Sequence, residues 1–184
     1  MFIYFIYMSY YRFAFLFLSL SCVFSFKEKT LFLEEEIETA KYVDLSKYLG
    51  VWYEIYRLPN SFEPKGCYNV KANYSIKKNG DISVLNSCIK KNGKEKKAKG
   101  IAKVVDKKTN SKLKVSFFGP FYGDYWIIDI DENYKWAIIS DRNRKYLWIL
   151  SREKEISEVL NLELLKKIEK LGFKKESLIK TIQK

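Results

Sequence analysis

From residue 51 onward, apolar and polar positions alternate in short runs, each closed by turn-forming residues. The runs fall at 52–58, 68–76, 82–90, 97–105, 113–118, 125–129, 136–140 and 146–151. Pro59, Asn79-Gly80, Asn92-Gly93, the polar stretch 106–110, Gly119-Pro120, the stretch 131–133 and the stretch 141–144 separate them. Period-two alternation reads as strands with one buried face, and Asn-Gly marks a tight hairpin. Short strands joined by hairpin-length connections predict an all-β chain folded as an eight-stranded up-and-down antiparallel β-barrel. Eight strands leave an interior wide enough for side chains or for one small ligand. After residue 151 the period changes. Leu160, Leu164, Ile168 and Leu171 recur at helical spacing, Ser157 is placed to cap the start, and Gly172 to end it. One C-terminal helix over about 157–171 is therefore expected on the barrel's outer wall, with residues 178–182 as a last short strand.

Alternation also assigns faces. Val70, Ala72, Tyr74 and Ile76 share the apolar face of the second run, and Val84 and Asn86 go with Ile82 in the third. Leu113, Val115 and Phe117 face in from the fifth, Tyr125 and Ile127 from the sixth, and Ile139 from the seventh. Tyr146 and Trp148 face in from the eighth, and Tyr56 from the first. These residues are the candidate lining. Two readings compete, a solid core and a hollow cup. Small residues within the strands (Ala72, Ala98, Gly100, Ala102, Ala137) and the hydroxyls of Tyr56, Tyr74, Tyr125 and Tyr146, hard to satisfy in a solid core, favour the cup.

Composition narrows the chemistry. The chain of 184 residues is long enough for one domain with a real core. It contains no histidine, so Ser-His-Asp and Cys-His catalysis and His-bound zinc or haem iron are excluded, and no metal or other cofactor is expected. The net charge of +12 raises nucleic acid and anionic membrane surfaces as partners. The charge is spread along the whole chain without a zinc-finger, RNP-type or basic-helix motif, so nucleic acid is not expected.

Residues 13–26 form an apolar run after Arg12, the pattern of a signal peptide over 1–26. An uncleaved anchor and lipidation at Cys22 are the alternatives. The charged stretch 27–43 reads as a leader arm, partly ordered at best, ahead of the barrel domain at 44–184. A secretory route gives a secreted or extracytoplasmic protein, in which Cys67 and Cys88, at the outer ends of one hairpin, are expected to pair. A strict register does not set them opposite each other, so the bond requires a bulge.

Gly50-Val51-Trp52 opens the barrel pattern and Arg152 closes it, within Tyr146-Leu147-Trp148-Ile149-Leu150-Ser151-Arg152. With the run 113–123 (LKVSFFGPFYG), these motifs resemble the lipocalins of the apolipoprotein D and bacterial outer-membrane group, from about Val43 to Phe173. Where the family carries Thr-Asp-Tyr, this chain has Ile130-Asp131-Glu132. The resemblance implies that Gly50, Trp52 and Arg152 are structural, with Trp52 closing the barrel floor and Arg152 across its ring. It also implies a non-enzymatic carrier of a small hydrophobic ligand, a fatty acid, lysophospholipid or similar lipid, with a lipid-protective role in some relatives. The alternatives are a sterol or tetrapyrrole binder, an enzyme using a pocket cysteine, and a barrel that serves mainly to build a homo-oligomer through the aromatics of 117–122.

Overall fold

The computed structural model describes residues 36–184. Strands β1 (Gly50–Arg57), β2 (Tyr68–Ile76), β3 (Ile82–Ile89), β4 (Glu95–Val104), β5 (Lys112–Phe118), β6 (Phe121–Ile130), β7 (Trp136–Ser140) and β8 (Leu147–Ser151) run up and down, each antiparallel to the next. Pairing of β1 with both β8 and β2 closes the barrel. The short helix α1 (Leu45–Tyr48) precedes β1, and α2 (Glu158–Lys170) follows β8. Four strands, β1, β4, β5 and β6, begin earlier than the alternation predicts. β4 opens at Glu95, and β6 opens at Phe121, because Phe118 pairs with Phe121 across a turn holding only Gly119 and Pro120.

Each strand of the far wall must satisfy two apolar environments. In β7 every residue is buried, since Ala137 and Ile139 face the interior while Trp136 and Ile138 face outward. The outward set, with Ile55, Trp126, Ile128, Leu147 and Ile149, packs against Leu164 and Ile168 of α2. The Ser157 hydroxyl accepts from Leu160 N–H at 3.2 Å to start this helix. Gly172, at φ +87°, ends it and lets Phe173 N–H reach back to the Ile168 carbonyl at 2.9 Å. Residues 37–43, expected within a loosely ordered leader, are packed instead. Ile37 joins the outer apolar layer, Val43 the inner one, and Ala40 N–H donates to the Ile127 carbonyl at 2.9 Å. The segment 1–35, with the expected signal peptide and Cys22, lies outside the described residues.

Two irregularities shape the barrel. In β2 the register shifts between Tyr68 and Lys71, with Asn69 at φ 52°, and this bulge brings Cys67 and Cys88 into a disulfide with Cα atoms 5.8 Å apart. In β1 a bulge falls between Glu54 and Tyr56. Before it, β1 pairs with β2 from Gly50 to Tyr53; beyond it, β9 (Ile179–Lys180) pairs with Tyr56 and Arg57. The C-terminal segment continues along the opening between β1 and β2. Thr181 N–H donates to the Ile55 carbonyl, Asn69 N–H to the Ile182 carbonyl, and the Gln183 amide to the carbonyls of Glu54 and Val70 at 2.8 and 2.9 Å. Half of one barrel seam is thus closed by the chain's last residues.

Thr181 is buried there, and its hydroxyl donates to the Glu54 carboxylate. Thr181→Val keeps the shape and leaves a buried carboxylate oxygen short of a donor. We expect a loss of about 1–3 kcal/mol in urea unfolding, with the disulfide intact. An unchanged midpoint would show that this seam contributes nothing to stability.

Candidate ligand cup

The closed end is built around Trp52, which is fully buried. Its indole N–H donates to the Tyr48 carbonyl at 2.8 Å. The Arg152 guanidinium lies 3.8 Å from the indole centroid and donates to the carbonyls of Lys47, Leu49 and Val51 at 2.6–2.9 Å. Gly50 sits at φ +94°, where a Cβ would come within 3.4 Å of that guanidinium, so the position favours glycine twice over. Burial lowers the Arg152 pKa from its usual value, and the Tyr48 ring opposes the shift. The adjoining turn keeps an aspartate where the sequence departs from the family motif. Asp131 accepts from the N–H groups of Asn133 and Lys135 at 2.9 and 3.1 Å.

Above the floor, Ala72, Tyr74, Val84, Leu113, Ile127 and Ile139 are buried in one inner cluster. Val115, Tyr125 and Trp148 pack against it while keeping some exposure. The other candidate lining residues divide. Asn86 lies on the inner side between Ala72 and Ala98, with its amide oxygen buried and without a hydrogen-bond partner. Val70 packs against the disulfide. Tyr146 sits higher, its ring 5.9 Å from Trp148 and the Phe62 ring 5.2 Å on its other flank. Phe117 is at the rim, 43% exposed, with its ring where a Cβ on Gly100 would stand. Gly100 therefore admits an aromatic ring rather than leaving a void.

Tyr56 is not in the cup. The β1 bulge turns Ile55 and Tyr56 to the same, outer side, where the Tyr56 hydroxyl donates to Asn161 of α2 at 2.9 Å. Arg57 is set opposite Trp148 instead. The Tyr74 and Tyr125 hydroxyls also find partners within the protein. The Tyr125 hydroxyl lies 2.7 Å from that of Tyr48 and 2.8 Å from that of Tyr74. Burial holds the Tyr74 hydroxyl neutral, with its pKa pushed up to about 12, and raises Tyr48 and Tyr125 as well. Three neutral phenols linked through Tyr125 by two hydrogen bonds are compatible with a packed lower barrel, so these hydroxyls do not by themselves require a cavity.

A buried polar cluster, unanticipated from alternation, occupies the side of the open end. Arg57 donates to Glu54 at 2.7 Å and to the Thr181 hydroxyl at 3.2 Å, and its Nε lies 3.3 Å from the Glu63 carboxylate. Glu63 belongs to the 58–67 loop, which leans over the mouth. Asn60 accepts from Phe62 and Glu63 N–H, Lys96 donates to the Phe62 carbonyl at 3.3 Å, and the disulfide fixes its far end. Desolvation, reinforced by the Glu54 carboxylate, pushes the Glu63 pKa up to about 8, against the pull of Arg57 and Trp148. Burial is the larger cause, and the nearby Glu54 carboxylate, which competes for the same guanidinium, adds to it. The only sequence signal was the pair Glu54 and Arg57 in a barrel strand. Among the described residues, no group of three or more His, Cys, Asp or Glu side chains could hold a metal ion.

Two outcomes follow. Trp52→Ala removes a fully buried aromatic and should cost about 3–5 kcal/mol in chemical denaturation, with ligand affinity falling only as folding fails. A stable variant that has lost affinity would place Trp52 in the binding site instead. For Glu63 the folded pKa lies above the ordinary carboxylate value of 4.5. The folded state therefore holds the extra proton between about 4.5 and 8, and stability conferred by neutral Glu63 is full below that window and lost as pH rises through it. Glu63→Gln should melt increasingly above the parent protein from pH 5 to pH 8. A constant difference across that range would mean Glu63 titrates normally.

Comparison with known proteins agrees with this geometry. A family model described as a lipocalin-like domain matches residues 43–183. The outer membrane lipoprotein Blc of Vibrio cholerae is 40% identical over 149 residues, covering 80% of this chain and 86% of that protein. Temperature-induced lipocalin-1 of Arabidopsis thaliana is 37% identical over 158 residues, covering 82% and 84%. Mouse apolipoprotein D is 40% identical over 121 residues, covering 59% and 60%. Insecticyanin from the tobacco hornworm superposes with a TM-score of 0.65 at 23% identity over 80% of this chain and 84% of its own, a likeness of fold. Carriers of small hydrophobic ligands are the common type among such proteins, which are generally binding proteins rather than enzymes. With that match spanning the barrel and both of its floor residues, Trp52 and Arg152, the chain belongs to the lipocalin family.

Proposed function

We propose that the chain is a non-enzymatic carrier that holds one small hydrophobic ligand, a fatty acid or lysophospholipid in size and shape, in the upper half of its barrel. The observation that carries this reading is a gradient of burial along the inner wall. Trp52, Ile127, Ala137 and Ile139 in the lower barrel have no accessible surface, whereas Val115, Trp148, Ala98 and Asn86 higher up retain some. Apolar side chains that point inward yet stay accessible line space that a hydrocarbon chain would fill, at roughly 25 cal/mol per Å² of area removed from water. The unpartnered Asn86 oxygen supplies the kind of isolated polar group that orients a ligand within an apolar pocket.

The disulfide bears on both compartment and chemistry. It suits an extracytoplasmic location, as do the relatives, one of them an outer membrane lipoprotein by name. It also leaves no free thiol among the described residues, which removes the support for a pocket-cysteine enzyme.

A fluorescent fatty-acid probe titrated against the full chain tests the reading. Ala98→Trp puts bulk on the inner wall, and about a tenfold loss of affinity, about 1.4 kcal/mol, is expected. Lys99→Trp, on the outer face of the same strand, should leave the affinity unchanged. Equal effects of the two substitutions, or no saturable uptake by the parent, would count against a barrel-held ligand.

A further inference from the structure

The rim of the open end carries an unusual surface. At the tip of the β5–β6 hairpin, Phe118 and Phe121 are 78% and 73% exposed, and Phe117 and Tyr122 are each 43% exposed. A hairpin tip has no structural need for large aromatic side chains, and a contiguous exposed apolar patch marks an interaction site. The neighbouring turns on the same rim are basic. On one side the β3–β4 turn carries Lys90, Lys91 and Lys94, and on the other the β7–β8 loop carries Lys145 beside Arg142, whose charge is met by Asp124.

The nearby acids are already engaged. Glu95 pairs with Lys97 at 2.8 Å, Asp124 pairs with Arg142 at 2.8 Å, and Asp141 is buried, accepting from Tyr146 N–H at 2.8 Å. The closed end differs. Exposed acids such as Glu132 and Glu153 alternate there with lysines, and its exposed apolar side chains, Tyr42, Ile76 and Val105, stand on three separate elements rather than together at one hairpin tip. Positive charge and exposed apolar surface thus coincide at the mouth.

We propose that the open rim docks on an anionic lipid bilayer, with Phe118 and Phe121 entering the headgroup layer and the flanking lysines meeting acidic lipid headgroups. Interfacial attachment combines just these two contributions, apolar area and attraction to anionic lipid. A second copy of the chain is a poorer occupant, because joining two rims would bring like charges together in a protein of net charge +12. Among the described residues no helix is long and apolar enough to cross a membrane, so attachment here lies in the interface. Docking in this pose sets the mouth of the cup against the lipid surface. The surface stands independently of what the cup holds.

Co-sedimentation of the full chain with vesicles tests the proposal, comparing pure phosphatidylcholine with phosphatidylcholine containing about a third phosphatidylglycerol. Any contribution of the apolar segment 13–26 is common to all variants. The parent should bind the anionic vesicles at least tenfold more tightly and lose that excess in high salt. The pair Phe118→Ser and Phe121→Ser should reduce binding to anionic vesicles tenfold or more, as should Lys90→Glu with Lys91→Glu. Lys107→Glu with Lys108→Glu, at the closed end, should leave more of the binding intact. Retained binding of the fatty-acid probe shows that the rim variants are folded. The proposal is overturned if the rim and closed-end variants behave alike, if lipid charge has no effect, or if the aromatic pair abolishes a dimer seen by sedimentation velocity without changing vesicle binding.

Discussion

The contact of Arg152 with Trp52 is the constraint on which the barrel depends. One guanidinium covers an indole face and gathers three backbone carbonyls, those of Lys47 in α1, Leu49 in the link and Val51 in β1. A helix of only four residues leaves its last carbonyls without intrahelical partners, so those of Lys47 and Leu49 need donors from elsewhere. A single planar cation supplies several at once, which a lysine could not do in the same geometry. Because Arg152 directly follows β8 and Trp52 lies in β1, the same contact ties the last strand of the barrel to the first. The inner cluster is then built on a floor whose polar groups are already satisfied.

The upper half solves its polar problem differently. Bulging β1 between Glu54 and Tyr56 separates it from β2, and the C-terminal segment fills the opening. The bulge also places two charged residues of β1 near each other and gives them Thr181 and Glu63 as partners. Neutral Glu63 limits the electrostatic cost of that cluster, since two ionised carboxylates would share one guanidinium. The loop that contributes Glu63 is pinned by the disulfide at one end and by the Asn60 turn at the other. Closure of the seam and placement of the loop over the mouth are therefore parts of one arrangement.

Much of this was legible in the sequence, for identifiable reasons. Strict alternation in β2, β3 and β5 assigned Ala72, Tyr74, Val84, Leu113 and Val115 to the inner wall, because an undistorted pleat has only two faces. The helix followed from its heptad-like leucines and its Ser157 cap. Alternation failed at Tyr56 because one extra residue in a bulge moves every later side chain of that strand to the other face. The doubled apolar pair Ile55-Tyr56 is the trace such a shift leaves. The role of Thr181 and Gln183 was not legible, since no local pattern announces which seam a terminal segment will occupy. The tyrosines illustrate a different limit. Composition showed that their hydroxyls needed partners, but only the fold shows that Tyr48, Tyr74 and Tyr125 satisfy one another.

These placements divide the barrel along its axis. Interactions that hold the fold, the Arg152 contact and the tyrosine relay, concentrate toward the closed end, where Trp52, Ile127 and Ala137 are fully buried. Toward the mouth, surface remains accessible, one amide oxygen lacks a partner and aromatic side chains stand in solvent. Uncovered apolar area carries a hydration cost that folding leaves in place. A protein of this size had residues available to cover the rim, as α2 covers the outer wall. The two ends were built from the same strands, so the difference arises from side-chain choice rather than topology. Four aromatic side chains gathered in solvent at one hairpin tip are what a surface made for apolar contact requires, and the lysines beside it select which apolar surface that is.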